Sequence, residues 1–216
     1  ATVAPSVSTK KLPPEVVLVD WHYDPEAAFG SLDSLMSGRP RQVVTSAGLW
    51  NWRAGYPDYS RSLPSILSAT SAARSHGCLG SMLASWGDGG AEDLFGNDVL
   101  GLAYFASCAW SSEAADPGTF LHRYCRLRFG ETGDSLVPLY RALADLGFPN
   151  GGTNQRLIDR PVIVRRRTPL WAAAVRELQL LLAPAARALG GARPTDVYAD
   201  AELQAMGCVV NRILAA

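Results

Sequence analysis

Gly77-Cys78-Leu79-Gly80-Ser81-Met82-Leu83-Ala84-Ser85-Trp86-Gly87-Asp88-Gly89-Gly90 is the stretch on which the fold turns. Its short apolar run, Leu79 to Ala84, suits a strand buried on both faces, as in a parallel sheet covered by helices. A helical pattern from about Leu63 to His76 precedes it, so the two form a helix–strand unit. Past the strand the chemistry changes. Trp86 and Asp88 stand two residues apart among glycines that let the backbone turn sharply and approach a ligand. In barrels of alternating strands and helices, the residues just past the carboxyl ends of the strands carry the chemistry. The plainer alternative is a Trp filling core space beside an Asp-Gly turn.

Working outward, two earlier segments repeat the pattern. Val16-Val17-Leu18-Val19-Asp20 is a β-branched apolar run, expected as a buried strand, and it exits into Trp21-His22-Tyr23-Asp24-Pro25. A short helix is expected from Pro25 to Ser37. Arg41 to Ser46 reads as the second strand, leaving through Ala47-Gly48-Leu49-Trp50-Asn51-Trp52, and a helix from about Arg61 to His76 leads to the third. Strands alternating with helices imply crossover connections and a parallel sheet. Each strand ends in tryptophan, so four of the six tryptophans gather on one rim. Core tryptophans should show no such preference. An indole face packs against the apolar face of a sugar ring, and a carboxylate accepts hydrogen bonds from its hydroxyls.

Beyond Gly90 the composition shifts to helical patterns: Leu100 to Trp110, Pro117 to Phe129, Ser135 to Leu146, Leu170 to Leu189 with Pro184 inside, and Asp196 to Leu214. Gly147 to Gly152 reads as a loop, and Pro161 to Val164 as a short extended piece. Residues 1–15 read as an extended connector. The division expected is 1–112 and 113–216.

Bulk properties narrow the function. Twenty basic and twenty acidic residues cancel, which removes the electrostatic case for nucleic acid or an anionic membrane. An apolar content of 48% supports a sizeable core. Cys78, Cys108, Cys125 and Cys208 are widely spaced, and read as buried small residues or free thiols rather than zinc ligands or a disulfide framework. With no apolar run long enough to span a bilayer and no signal-peptide pattern, the expectation is a cytoplasmic protein. His22, Asp24, His76 and His122 supply too few ligands on one loop for a metal site, so no metal and no cofactor is expected. Arg165-Arg166-Arg167 reads as a solvated charge run. No Ser or Cys has a His at triad spacing.

The three strand ends together, Asp20-Trp21-His22-Tyr23, Thr45 to Trp52 and Gly80 to Gly90, resemble the carboxyl-terminal half of the catalytic barrel of glycoside hydrolase family 20, the β-N-acetylhexosaminidases. The likeness covers roughly residues 12–130, and Trp86-Gly87-Asp88-Gly89-Gly90 is its most specific piece. It implies an α/β fold: the last three strand–helix units of a (β/α)8 TIM barrel, followed by an all-α carboxyl-terminal region. By this resemblance Trp21 would be a wall of the pocket around the substrate's N-acetyl group. Trp86 would be the platform beneath the terminal sugar, Asp88 would bind its outer hydroxyls, and His22 would be a polar group at the mouth. Trp50 stands where the family has a tyrosine, and Trp52 near an acidic position; an indole supplies neither a phenol nor a carboxylate. The family's chemistry is substrate-assisted, with the acetamido oxygen attacking the anomeric carbon while a glutamate protonates the leaving oxygen. The Asp-Glu pair that does this has no counterpart here, and Glu92-Asp93 is reversed and misplaced. The resemblance therefore implies substrate-binding residues Trp21, Trp50, Trp52, Trp86, Asp88 and His22, and no catalytic residue. Its partners would be an N-acetylhexosaminide and the missing half of the barrel or a second copy. A carbohydrate-binding module without the acid, and a purely structural helical scaffold, are the competing readings.

Overall fold

A computed structural model describes residues 12–24, 29–36, 42–52, 55–87, 93–111, 116–144 and 169–214. The chain is α/β, with one small parallel sheet and mostly helix. The strands β1 (Leu18–Trp21), β2 (Val43–Gly48) and β3 (Gly80–Ala84) lie in the order β1-β2-β3. Their register sets Trp21 beside Ser46, and Ser46 beside Met82. Both crossovers are helical, through α1 (Ser31–Met36) and α2 (Tyr59–Ser75). The later helices are α3 (Phe95–Trp110), α4 (Pro117–Phe129), α5 (Val137–Ala144), α6 (Pro169–Gly191) and α7 (Val197–Leu214), with a 3-10 segment, Gly130–Leu136, between α4 and α5.

Local chemistry explains where these elements start and stop. Asp58 caps α2 by accepting the Arg61 backbone N–H at 3.3 Å, and Gly77 leaves the helix at φ 64°. Asp116 caps α4 through the Thr119 N–H at 2.9 Å, Pro117 opens the helix, and Gly130 ends it at φ 56°. α3 begins at Phe95, earlier than the apolar pattern indicates. It runs through Gly96, where a Cβ would sit 2.8 Å from that of Ala205 in α7, so the glycine lets two helices touch. The fifth helix starts two residues later than expected because Gly130–Leu136 winds as 3-10, with Gly133 packed on the Cys125 carbonyl. α6 continues through Pro184. The extended piece at Pro161 to Val164, the loop at Gly147 to Gly152 and residues 1–11 of the connector lie outside the described residues.

The expected burial of β1, and of β3 on both faces, is corrected: these two outer strands are exposed on one face. The central strand β2 is buried on both faces, by Val43, Thr45 and Ala47 on one and Ser46 and Gly48 on the other, and Thr45 donates its hydroxyl to the Ala69 carbonyl of α2 at 2.9 Å. On the other face Val19 is 51% and Met82 44% exposed, and Val17 just before β1 is also exposed. Apolar runs continuous enough for a doubly covered strand are present, but in this chain the helices cover one side only. The core itself is continuous from Phe29 and Leu32, through Ile66 and Tyr104, to Tyr140, Leu203 and Val210.

Candidate functional site: an aromatic wall at the carboxyl ends of the strands

Parallel strands deliver their exit loops to the same rim, so tryptophans far apart in sequence become neighbours. Trp21 and Trp86 stack with ring centroids 5.9 Å apart and planes inclined 20°. Trp50 and Trp52 lie 4.7 Å apart. Tyr23 joins the two pairs: its ring stacks on Trp52 at 4.9 Å and meets the edge of Trp21 at 5.1 Å. Its hydroxyl accepts the Trp86 indole N–H, and its carbonyl accepts the Trp50 indole N–H at 2.7 Å. In the sequence Tyr23 is one more residue of the exit loop, with no role marked for it. Its position two residues past Trp21, on the same side of the chain, was the available clue.

The wall is held from behind. Gly48 faces the Tyr23 ring so closely that a Cβ would stand 2.6 Å from Cδ1. Arg61 of α2 lies over the Trp50 ring, 4.7 Å from its centroid, and pairs with Asp58 at 3.5 Å. Trp50 itself is left-handed at φ 51°, a conformation costing on the order of 1–3 kcal/mol for a bulky residue. The Asp58 backbone N–H to the Trp50 carbonyl, at 3.1 Å, and the Ser62 hydroxyl on the Leu49 carbonyl hold that turn.

Trp86 is anchored through its backbone. Its N–H donates to Asn51 Oδ1 at 3.0 Å. The Asn51 amide in turn donates to Ser85 Oγ at 2.8 Å and to both carboxylate oxygens of Asp98 at 3.2 Å, while Ser85 donates to Asp98 Oδ2 at 2.8 Å. Asn51 and Asp98 are both buried. This anchor joins the exit loops of β2 and β3 to α3. Beside it, Asn97 donates to Asp93 Oδ1 at 3.1 Å. Burial, then the neighbouring Asp98 carboxyl, pushes the Asp93 carboxyl up to about 8.

His22 sits apart from the aromatic wall. Its Nε2 lies 2.9 Å from Asp20 Oδ1 and 2.9 Å from Ser31 Oγ, and its ring edge meets Phe29. Ser31 also donates to Asp20. Ser, His and Asp are thus together, but both partners engage the same imidazole nitrogen. A relay needs the acid on one nitrogen and the nucleophile on the other. Asp20, buried at the end of β1, pins the loop to the start of α1. Asp88 lies outside the described residues. His76 and His122 lie beside Asp33 and Asp134, on separate helices, and among the described residues no three metal-ligating side chains come together. Among the same residues no helix is long and apolar enough to cross a membrane.

The Trp21–Trp86 stacking limits what the wall can hold as it stands. A ring sandwiched between two indoles needs roughly 3.5–4.0 Å to each face, or about 7–8 Å in all. At 5.9 Å the two tryptophans cannot lie on opposite sides of a sugar. Both keep an outer surface in solvent, at 54% and 41% exposure. No protein-family model and no curated protein matches the chain.

Proposed function

We propose that this chain forms the sugar-binding side of a β-N-acetylhexosaminidase of the family 20 type, built on the last three strand–helix units of a (β/α)8 barrel with an all-α region after it. The observation that carries the reading is the aromatic wall: Trp21, Tyr23, Trp50, Trp52 and Trp86 gathered at the carboxyl ends of three parallel strands. That end of such a barrel is where substrate is held. The uncovered apolar sheet face supports the partial barrel, since further strand–helix units would bury Val17, Val19 and Met82 as a barrel interior.

In this reading an N-acetylhexosaminide enters by parting Trp21 from Trp86, so that Trp86 lies beneath the ring and Trp21 against the acetamido methyl. The Trp50 indole N–H is spent on the Tyr23 carbonyl, so the phenol nearest the pocket is that of Tyr23 rather than a residue at position 50. Asp88 takes the outer hydroxyls. The carboxylic acid that protonates the leaving oxygen comes from outside residues 1–216, because no Asp-Glu pair is present in them. That same missing pair favours a second reading, a carbohydrate-binding module without hydrolytic chemistry.

One experiment separates the two. The natural gene product is weighed intact and assayed on a chromogenic N-acetyl-β-glucosaminide. A product near twice the 23.1 kDa of this chain, active and inactivated by Trp86→Ala, supports the hydrolase. A product of this mass that binds sugar without hydrolysing it leaves the binding module.

A further inference from the structure

β1 is an edge strand, and the direction of its backbone groups decides what that edge can accept. In a parallel pair each strand bonds its neighbour through alternate residues. The Leu18 N–H donates to the Gln42 carbonyl at 2.9 Å and the His22 N–H to the Ser46 carbonyl at 3.1 Å, so Leu18, Asp20 and His22 face β2. Val17, Val19 and Trp21 therefore turn their N–H and C=O groups to the outer edge, where no strand lies among the described residues. Their side chains stand on the open face of the sheet, and all three are exposed.

Edges of this kind are ordinarily blocked by Lys, by Pro or by a bulge. Val16-Val17-Leu18-Val19-Asp20-Trp21 contains neither residue, and its register with β2 is unbroken from Leu18 to Trp21. The one charge in that run, Asp20, is buried beside His22 and Ser31. Twenty basic and twenty acidic residues leave two copies of the chain with no net repulsion.

We propose that the edge of β1 takes the β1 of a second copy, antiparallel, about a two-fold axis at Val19. Antiparallel strands exchange two hydrogen bonds between directly opposed residues at every second position. With Val19 opposite its own counterpart, Val17 falls opposite Trp21, because the two lie equally far from the axis. The three residues whose backbones face outward are then the three that exchange bonds. Moving the axis to Leu18 would set Trp21 opposite Glu15, and moving it to Asp20 would set Val17 opposite Tyr23, a member of the aromatic wall. The pairing also places the two Val19 side chains together and each Val17 against the opposite indole, as apolar cross-strand pairs. A two-fold contact closes on itself, so assembly stops at two copies whose three-stranded sheets become one. The proposal concerns residues 1–216 as a chain by itself and does not rest on the sugar reading; in a complete barrel a preceding strand would take the same edge.

Sedimentation equilibrium of the 216-residue chain should give a mass that rises with concentration to twice 23.1 kDa and no further. Amide hydrogen exchange at Val17, Val19 and Trp21 should be slow in the concentrated protein and about tenfold faster on dilution, while Leu18 and Asp20 stay protected. Val19→Pro removes the N–H at the axis without touching a bond to β2, and should leave a folded monomer. Should that variant not fold, Val19→Lys sets two like charges at the axis and should weaken the dimer about tenfold. Met82→Ser, on the far strand of the same face, should leave the dimer intact. A monomer at every concentration, a mass that climbs past two copies, or a dimer whose Val17, Val19 and Trp21 amides exchange fast overturns the proposal. Loss of the dimer in Met82→Ser alone also overturns it, since the open faces would then be stacking in place of the edges.

Discussion

Trp50 is large, left-handed and still in place, and the residues around it account for that. Its ring is clamped between Trp52, the Arg61 guanidinium and the Tyr23 carbonyl, and its own carbonyl is bonded by the turn into α2. Each contact contributes on the order of a kilocalorie per mole, so together they offset the strain. Tyr23 is the residue the wall can least lose, because it touches both tryptophan pairs. Gly48→Ala would test that indirectly. Its methyl would stand 2.6 Å from Tyr23 Cδ1, and overpacking of this kind costs about 1–3 kcal/mol. The expected result is a lower melting temperature together with a changed near-ultraviolet circular dichroism band from the aromatic cluster. A variant with both unchanged would mean that Tyr23 does not press on β2.

At the scale of elements, α7 is fastened to α4 and α5 by one carboxylate. Glu202 is buried, accepts the hydroxyls of Tyr124, at 2.5 Å, and Tyr140, and pairs with Arg128 at 3.2 Å. Burial raises the Glu202 carboxyl, while the two phenols and the guanidinium lower it. Removing one partner from such a group leaves the others buried and unpaired. Glu202→Ala is therefore expected to cost about 3–5 kcal/mol, on the order of 10 °C in thermal unfolding for a chain of this size. A drop of a degree or two would show that water replaces the carboxylate. This latch was invisible in the sequence, where Glu202 looks like one more charge on an amphipathic helix. Its partners lie 62 and 78 residues away, and no periodicity relates them. The ends of α4 were legible because Pro117 and Gly130 act within one turn of their own helix, whereas the Asp116 cap carried no separate signal. The 3-10 turn before α5 was not, because it is dictated by contact between Gly133 and a preceding helix.

For the whole molecule, the alternation of apolar runs with helical patterns made the parallel α/β sheet legible, and strand ends made the convergence of Trp21, Trp50, Trp52 and Trp86 legible. What the sequence left hidden was how the rim is supported. Asn51, Ser85 and Asp98 come from three separate segments, and only folding brings them together. Nor did the apolar runs reveal that one sheet face would stand open, since a run of valines reads the same whatever covers it. Both outer strands, β1 and β3, also have an edge with no partner strand among the described residues. Replacing Val19 and Met82 together by Ser should reduce binding of an apolar fluorescent dye and self-association in sedimentation. Folding stability should change by no more than about 0.5 kcal/mol, because both side chains are exposed. Unchanged dye binding would mean that the open face is not what the isolated chain presents.

If the aromatic wall holds an N-acetylated sugar by opening the Trp21–Trp86 pair, as proposed, calorimetric titration with an N-acetyl-β-glucosaminide will register it. Wild type should bind, and Trp86→Ala should lose about 2 kcal/mol, roughly a 30-fold weaker Kd, while retaining its thermal unfolding profile. Equal affinity in the two proteins, or no binding by either when folded, would rule the aromatic wall out as a sugar site.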